Sequence, residues 1–479
     1  MSAKSLLSKA LKKSVSVPKF RRGKFPDASP LPEGKFDKLD KAPAKHFTAG
    51  FGKAAIIPPD LLNKKYYVAG YNINNPATGI LDVPHVHALW LDDNSGRGAV
   101  VFVSLDAVGM LNKDVNDVKA SMAGFLKEAG CRSINILCTH NHAGIDTMGL
   151  WGPLPLTGQN PKFMEIVFNG INTAVRKAYE DRRKADVYLG RIPVEGMQND
   201  HRTPVVYSKT LTRFRIVPTD GSREIYFINF AAHSESLGGG NSLVSADFPA
   251  YMREKILEET GAETVYCVGA IGGMISMDRI GDDIVESTKA IGRKVAEFTL
   301  AIEKEEKIKP EINFMRQEFY AEVDNHVLML ATKIGILKAD RYHKKSASHG
   351  YVLKSEMTYF EIGGVKMLLL PCEIFPELVF GGYLSSEESA EGKGPEINPT
   401  PLTEIAGEEE LLIFGLANDE LGYVLPPNDF LLDANMPYLE KAKDRLGRNH
   451  YEETNSLGPK TAPTIADAFA RIMKVVSKQ

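Results

Sequence analysis

The sequence predicts an α/β protein with mixed β-sheets flanked by helices. From residue 47 onward, apolar runs typical of buried strands alternate with segments of helical periodicity. The stretch 313–370 has the pattern of successive antiparallel strands, which makes the predicted sheet system mixed. With 479 residues, of which 43% are hydrophobic and 25% charged, the chain can bury a large core. A disordered chain, a collagen and a coiled coil are therefore excluded.

The first predicted unit is a strand, a helix and a strand between residues 99 and 138. The runs 99–105 and 133–138 are continuously apolar, as in buried strands. Between them, apolar residues recur at helical spacing as far as Gly130, where a glycine is expected to end the helix. The residues that predict this helix are Val115, Val118, Met122, Phe125 and Ala129.

Further helices and strands alternate along the chain. Asp247 is expected to cap one helix, which then ends at Gly261. No internal repeat of 20 to 50 residues is visible. The predicted helices cover 162–180, about 249–261 and 291–302, and the predicted strands cover 211–217, 224–231 and 264–270.

Positive charge is concentrated at the N-terminus. Residues 1–45 contain 12 Lys and Arg against 4 Asp and Glu, a net +8, which leaves −11 for the remainder of a chain whose total is −3. We expect residues 1–46 to form a basic, partly disordered arm able to contact an anionic membrane, followed by one catalytic domain over 47–479. The acidic body, which has no stacking motif or basic stripe, argues against nucleic acid as the substrate. The sequence does not predict an oligomeric state.

The cysteines and the N-terminus predict a cytoplasmic protein. No apolar run approaches the roughly 18 residues that cross a bilayer, and the N-terminus has no apolar stretch or cleavage site of a secretory signal. The cysteines lie singly in apolar runs, without the pairing of a disulfide framework or a zinc knuckle. They are Cys131, Cys138, Cys267 and Cys372.

Polar side chains follow four apolar runs. His140 and His142 follow the run 133–138, His233 follows 224–231, and Glu373 and Tyr423 each follow a later run. Because ligands bind beyond the carboxyl ends of strands in open α/β sheets, we expect these groups to converge. Two histidines and a carboxylate match the ligands of catalytic zinc (Zn2+), which polarises a carbonyl and supplies hydroxide near neutral pH. The residues therefore suggest a metallohydrolase of unspecified substrate.

Each of these residues also has a structural interpretation. A His-x-His pair alone is weak evidence for a metal, and an isolated histidine such as His233 is more often a hydrogen-bonded core residue. A single glutamate after a strand is commonly a surface charge, and a single tyrosine commonly packs in the core.

At these positions the sequence resembles the neutral ceramidase family, whose members cleave the N-acyl bond of ceramide. Seven motifs match in the same order, so that the resemblance extends from about residue 47 to 475. The matches are Thr-His-Thr-His-Ser-Gly at 139–144, Asn-Arg-Ser-Pro at 200–204, the second metal-histidine loop at 230–233, Gly-Asp-Val-Ser at 273–276, Pro-Gly-Glu at 371–373, an Asn followed five residues later by Tyr at 418 and 423, and Tyr-Glu running into Gly-Pro at 451–459.

The resemblance implies a zinc ion held by His140, His233, Glu373 and Tyr423. It also implies that His142 is the general base and acid. In this chemistry zinc lowers the pKa of its water, and the histidine accepts a proton from that water and returns it to the leaving amine.

Three further roles are implied by the resemblance. Arg202 and Tyr451 would bind the carbonyl oxygen as it becomes an oxyanion, an interaction commonly worth about 3–4 kcal/mol per donor. Ser276 matches a family serine sometimes assigned as the nucleophile. Because a metal-bound water would be available, we favour a positioning role for Ser276.

Four features depart from the family pattern. Met274 replaces the acidic residue before the family serine, and 145–152 replaces a glycine-rich continuation, which is expected to reshape the edge of the pocket. The 28 positions between Tyr423 and Tyr451 exceed the family spacing. We also expect no C-terminal immunoglobulin-like domain.

The sequence thus predicts a zinc-dependent hydrolase of a small N-acyl amide, linear or cyclic, with ceramide as one candidate substrate. Two alternatives stay open. One is a hydrolase with Ser276 as nucleophile, although the sequence has no Gly-x-Ser-x-Gly motif around this residue. The other is a non-catalytic binding protein that keeps a metal for stability.

Overall fold

The computed structural model describes residues 9–10, 13, 23–24, 31–36 and 44–478. Two β-sheets, sheet 1 and sheet 2, pack face to face, and helices cover the outer face of each. This architecture confirms the predicted α/β class with mixed sheets. Most of the predicted basic arm at 1–46 lies outside the described residues.

Sheet 1 contains nine of the described strands. Two neighbouring pairs are parallel, Ala99–Leu105 with Cys131–Cys138 and Ile225–Phe230 with Glu263–Val268, and the other pairs are antiparallel. Glu305–Lys307 pairs with Arg183–Pro193 at the side of the main path. The order across the sheet is Glu263–Val268, Ile225–Phe230, Thr210–Pro218, Arg183–Pro193, Phe47–Ala55, His85–Asp92, Ala99–Leu105 and Cys131–Cys138.

Sheet 2 contains seven of the described strands. Val365–Leu369 pairs antiparallel with Tyr351–Ile362 and parallel with Leu412–Phe414. The remaining order across the sheet is Gly23–Lys24, Arg341–His343, Tyr351–Ile362, Ile312–Glu322 and Glu33–Lys35. Four short strand pairs lie outside both sheets: Gly79–Ile80 with Leu243–Val244, Gln198–Asp200 with Ile275–Met277, Glu373–Ile374 with Tyr423–Val424, and Ala442–Lys443 with Asn449–His450.

The helices of the range 44–478 vary from one turn to five. None of these described helices is both long and apolar enough to span a membrane. Their bounds are Asn112–Ser121, Ala123–Glu128, Pro161–Glu180, Phe248–Thr260, Ile284–Leu300, His326–Ile334, Pro376–Phe380, Leu402–Ala406 and Thr461–Val476, with single 3-10 turns at Pro395–Ile397, Pro427–Asp429 and Glu452–Asn455.

Three predictions of secondary structure need correction. The helix expected over 115–129 is two helices, because the chain tightens at Met122, whose N–H bonds to the carbonyl of Lys119 three residues back. The helix expected to reach Ile302 ends at Leu300. The segment 313–370 contains strands and also the helix His326–Ile334, which the Asn325 side chain caps.

The two faces of sheet 1 pack differently. On the outer face, the helix Pro161–Glu180 lies directly on the strand backbone, since a Cβ at Gly50 would come within 2.1 Å of the carbonyl oxygen of Ala178. On the inner face, the Phe102 ring lies 5.1 Å from Phe227 of sheet 1 and 5.3 Å from Phe360 of sheet 2. This aromatic contact joins the two sheets into one core.

Sheet 1 curls until its two edge strands meet. The Ser104 hydroxyl donates to the Tyr266 carbonyl at 2.6 Å, near opposite edges of the sheet. The segment 415–418, which follows a strand of sheet 2, bonds to both edges: Gly415 N donates to Val268 O at 3.0 Å and Asn418 N to Ile136 O at 2.7 Å. Loops that follow strands of both sheets are therefore brought together at one point.

Candidate metal and catalytic site

The two histidine loops pair directly with each other. His142 N donates to Ser234 O at 2.9 Å, and the Ser234 hydroxyl donates to Thr139 O at 2.8 Å. His140 has φ +55°, a left-handed conformation that costs a non-glycine residue about 1–3 kcal/mol and is common at functional sites. If strand geometry continued past Cys138, residues two positions apart would share a face; instead, the strand ends at Cys138 and a turn brings the two rings together.

The imidazoles of His140 and His233 converge on one carboxylate oxygen. Their Nε2 atoms lie 3.1 Å and 3.0 Å from Glu373 Oε2. Each Nδ1 faces a backbone carbonyl, that of Val108 at 2.7 Å and that of Ile275 at 3.1 Å. A carbonyl only accepts hydrogen bonds, so each Nδ1 carries the proton and each Nε2 directs its lone pair at Glu373. The negative carboxylate and the two lone pairs repel one another at these distances unless a positive charge lies between them.

The donor set fits a zinc ion. The ligand nitrogens of His140, His142 and His233 all lie within 4.8 Å of one another. Two imidazole nitrogens and one carboxylate are among the usual ligand sets of catalytic zinc, and the carbonyl bonds on Nδ1 are the supporting contacts that metal-bound histidines commonly make.

His142 lies beside this centre and has the properties of a neutral base. Its Nε2 is 3.0 Å from His140 Nε2, and only 8% of the residue is exposed. Burial lowers the pKa of His142 to about 3. A neutral imidazole at neutral pH can accept a proton.

Glu373 and Tyr423 are brought together by the short parallel pair that follows two neighbouring strands of sheet 2. The Tyr423 hydroxyl lies 2.9 Å from Met274 Sδ, and burial raises its pKa well above the usual value. The ring of Tyr451 lies 6.2 Å from that of Tyr423, nearly perpendicular to it. The two tyrosines are therefore adjacent in space, although 28 positions separate them in sequence.

Arg202 lies in a buried cluster of ion pairs. Its guanidinium contacts Glu452 at 2.6 Å, Glu453 at 3.0 Å and Asp429 at 3.2 Å. It also lies 2.7 Å from Nδ1 of His450. These contacts hold the residues on both sides of Tyr451. The oxyanion role expected for Arg202 stays a prediction.

The Ser276 hydroxyl faces a carboxylate. It donates to Glu235 Oε1 at 2.8 Å and lies 3.2 Å from the carbonyl of Met274, and no histidine accepts from it among the described residues. This geometry provides no base for a serine nucleophile and agrees with a positioning role.

Glu235, for which the sequence predicts no role, lies beside His142 in the structure. Its Oε2 lies 3.7 Å from His142 Nδ1. The signal available in the sequence was its place two residues after His233, in the same polar loop.

A cavity of about 490 Å³ opens beside these residues. His140, His142, Glu373 and Tyr423 line one part of it. The other walls are mostly apolar and include Met148, Leu150, Trp151, Val327, Leu328 and Leu421. Three of these side chains come from 145–152, the loop expected to reshape the pocket. The volume is typical of small-molecule sites.

Comparison with known proteins gives partial sequence similarity to neutral ceramidases. The chain is 25% identical over 255 residues to neutral ceramidase of Drosophila pseudoobscura pseudoobscura and 25% identical over 257 residues to that of Drosophila melanogaster. Each alignment covers 49% of this chain and 36% of the relative, so the chain matches about a third of the length of those proteins. No protein-family model matches the sequence.

Solved structures extend the similarity over most of the fold. Neutral ceramidase from Pseudomonas aeruginosa superimposes with a TM-score of 0.66 at 15% identity, over 90% of this chain and 75% of that one. A ceramidase complexed with C2 gives 0.62 at 14% identity, over 90% and 76%. The chain therefore has the neutral ceramidase fold, and the resemblance predicted from the seven motifs is confirmed.

Proposed function

We propose that this protein is a zinc-dependent hydrolase that cleaves the amide bond of a small N-acyl compound. The observation that carries the proposal is the convergence of His140, His233 and Glu373 on one point, beside His142 and at the wall of an apolar cavity. The likeness to proteins named neutral ceramidase supports the same chemistry.

Four residues would hold the metal. His140 and His233 offer Nε2 lone pairs, Glu373 offers a carboxylate oxygen, and Tyr423 offers a phenol oxygen. Zinc, when bound, polarises the amide carbonyl and lowers the pKa of water to near 7.

His142 moves the proton in the proposed reaction. Its neutral Nε2 faces the centre and takes a proton from the attacking water. The same nitrogen then gives that proton to the leaving amine as the C–N bond breaks, so the products are a carboxylic acid and an amine and the imidazole is restored.

Tyr451 is our candidate donor to the developing oxyanion. Its ring packs against that of Tyr423, and the bonds of Arg202 to His450, Glu452 and Glu453 fix the chain on both sides of it. Through these contacts Arg202 would hold Tyr451 in place, in addition to the oxyanion role that the resemblance implies for it. A donor fixed before the reaction needs no reorganisation when charge develops.

The cavity supports a substrate with an apolar acyl group. Its walls of Met148, Leu150, Trp151 and Leu328 offer few hydrogen-bonding groups, and apolar area contributes about 25 cal/mol per Å² removed from water. We expect activity to rise with acyl length until the cavity is filled.

The test combines metal analysis with a substrate panel. Protein purified without added zinc should contain one zinc per chain and should hydrolyse some members of a series of N-acyl amines and amino acids of increasing acyl length. Chelation should abolish turnover, and zinc should restore it. Absence of stoichiometric metal would refute the proposal. Metal without turnover of any amide would favour a binding protein, and labelling by a fluorophosphonate after chelation would favour Ser276 as nucleophile.

A further inference from the structure

We infer that Glu235 is a positioning residue, which fixes the orientation and the tautomer of the His142 imidazole. The inference rests on the proposed function, in which His142 is the base, and adds a residue to it. It is carried by the geometry around the Nδ1 atom of that ring.

His142 Nδ1 is a buried polar atom without a hydrogen-bond partner in the part of the chain that the structure describes. The nearest carboxylate oxygen is Glu235 Oε2, at 3.7 Å. This distance is too long for a hydrogen bond, but a shift of less than 1 Å would bring the two atoms within range. Catalytic hydrogen bonds are often long in the absence of substrate and shorten in its complex.

The Glu235 carboxylate is fixed from its other sides. The Tyr71 hydroxyl donates to Oε2 at 2.6 Å, and the Ser276 hydroxyl donates to Oε1 at 2.8 Å. Oε2 can accept a second hydrogen bond, and His142 Nδ1 lies 3.7 Å from it. The chain around Glu235 is also held, because buried Asp247 accepts from the backbone N–H groups of Ser236 and Leu237 at 3.1 Å each.

The His142 ring has little freedom to turn elsewhere. The Tyr71 ring stands edge-on to it with the centroids 5.1 Å apart. A Cβ at Gly70 would lie 2.5 Å from His142 Cβ and Cγ, so the backbone there closes directly on the imidazole. These contacts on two sides limit the rotation of the ring.

A carboxylate at Nδ1 has a definite consequence for the base. If Nδ1–H donates to Glu235, the lone pair of the ring is on Nε2, the atom that faces His140 and the metal ligands. The carboxylate would also stabilise the imidazolium that forms when Nε2 takes a proton, as in other catalytic histidine–carboxylate pairs. Tyr71 and Ser276 then act through Glu235, which gives Ser276 a role that needs no nucleophilic attack.

Variants of Glu235 test this inference on the zinc-loaded full chain. E235A removes the acceptor, whereas E235Q keeps a side-chain oxygen of the same reach. We expect E235A to lower kcat about 10- to 100-fold with KM nearly unchanged, because Glu235 does not line the cavity. E235Q should recover part of the loss. The matched control E286Q, at a 67% exposed glutamate on the surface, should leave kcat unchanged.

A second readout does not depend on turnover. In wild-type protein labelled with 15N-histidine, the His142 signals, identified by their loss in H142Q, should show a proton on Nδ1. In E235A the proton should distribute between Nδ1 and Nε2, while zinc content and thermal midpoint stay near those of wild type. Should E235A fail to fold, E235Q, which removes the negative charge of the acceptor, should shift the proton toward Nε2 in the same direction but to a smaller extent.

Three results would overturn the inference. The first is that E235A leaves both the His142 tautomer and kcat unchanged. The second is that E235A changes KM but not kcat. The third is that E235A loses zinc, which would make Glu235 a metal ligand. If wild-type protein hydrolyses no amide, the proposed function fails, and the tautomer measurement still decides whether Glu235 positions His142.

Discussion

Arg202 and Glu452 form an ion pair of 2.6 Å in which 6% and 2% of the two side chains are exposed. The same guanidinium also contacts Glu453 and Asp429, and Asp429 is shared with the less buried Arg448. Burial alone would lower the pKa of Arg202, but these carboxylates raise it. These ion pairs fix the chain beside Tyr451. Arg202 therefore supports the site although it does not line the cavity.

The first prediction concerns this cluster. Arg202→Met should lower the free energy of unfolding by about 3–5 kcal/mol, because it leaves buried carboxylates without their counter-charge. Urea unfolding followed by circular dichroism measures the change. Arg215→Met removes an arginine that is 27% exposed and also pairs with two glutamates. This variant should lower the free energy of unfolding by less than about 1 kcal/mol. Equal losses of unfolding free energy in the two variants would show that the buried ion pairs of Arg202 stabilise the fold no more than exposed ones.

The second prediction separates metal ligands from the base. His140→Ala and His233→Ala should each lose both zinc and hydrolysis, because each removes a nitrogen that faces Glu373. His142→Ala should keep zinc while hydrolysis falls about 100- to 10,000-fold, the usual contribution of a general base. Metal analysis and turnover are measured on each purified variant. His343→Ala, at an exposed position of sheet 2, is the control and should match wild type in both. Retention of zinc in His140→Ala would remove this residue from the ligand set.

The residues after strands could be predicted from sequence because their pattern is local. An apolar run of six to eight residues identifies a buried strand, and the polar group that follows must lie at its end. His140, His233 and Glu373 were predicted in this way, and their Nε2 and Oε2 atoms lie about 3 Å apart. Tyr423 was also predicted in this way, whereas Tyr451 came only from the seven ordered motifs, because its proximity to Tyr423 depends on a loop with no periodic pattern of its own.

Other features depend on long-range packing that no local pattern records. The relation of Glu235 to His142 requires the edges of sheet 1 to meet, which brings together loops about 90 residues apart. The contacts of Arg202 depend on residues 227 to 251 positions away. The helix His326–Ile334 was missed because a nine-residue apolar segment fits a strand or a helix equally well.

The third prediction uses the cavity. Leu328→Trp should fill part of the space and lower kcat/KM for the longest acyl chains about 10-fold relative to the shortest, because added volume in an apolar pocket excludes methylene groups. Ile334→Trp changes a residue of the same helix that is 53% exposed and does not line the cavity, so acyl preference should not change. Kinetics with a homologous series of N-acyl substrates provides the measurement. An equal change of acyl-chain preference in both variants would show that the cavity does not bind the acyl group.

The fourth prediction is a dependence of stability on pH. Burial raises the pKa of Glu377, which is 3% exposed in the helix Pro376–Phe380, to about 8 from an ordinary value of 4.5. The nearby carboxylates of Asp200 and Asp429 raise it further, and Arg202 opposes them. The folded state therefore holds a proton that the unfolded chain releases, and the stability due to this group falls as pH rises from 4.5 to 8. Glu377→Gln resembles the protonated form and cannot ionise.

The free energy of unfolding of Glu377→Gln should therefore exceed that of wild type increasingly between pH 4.5 and 8, by up to about 5 kcal/mol, and the difference should be constant above pH 8. Urea unfolding of both proteins at pH 5, 6, 7, 8 and 9 measures it. Glu286→Gln, at a largely exposed glutamate, should show no growing difference from wild type over the same range. A difference between Glu377→Gln and wild type that stays constant from pH 5 to 9 would mean that the carboxyl is already ionised in the folded protein. In that case the carboxyl would have to draw enough stabilisation from Arg202 to overcome its burial.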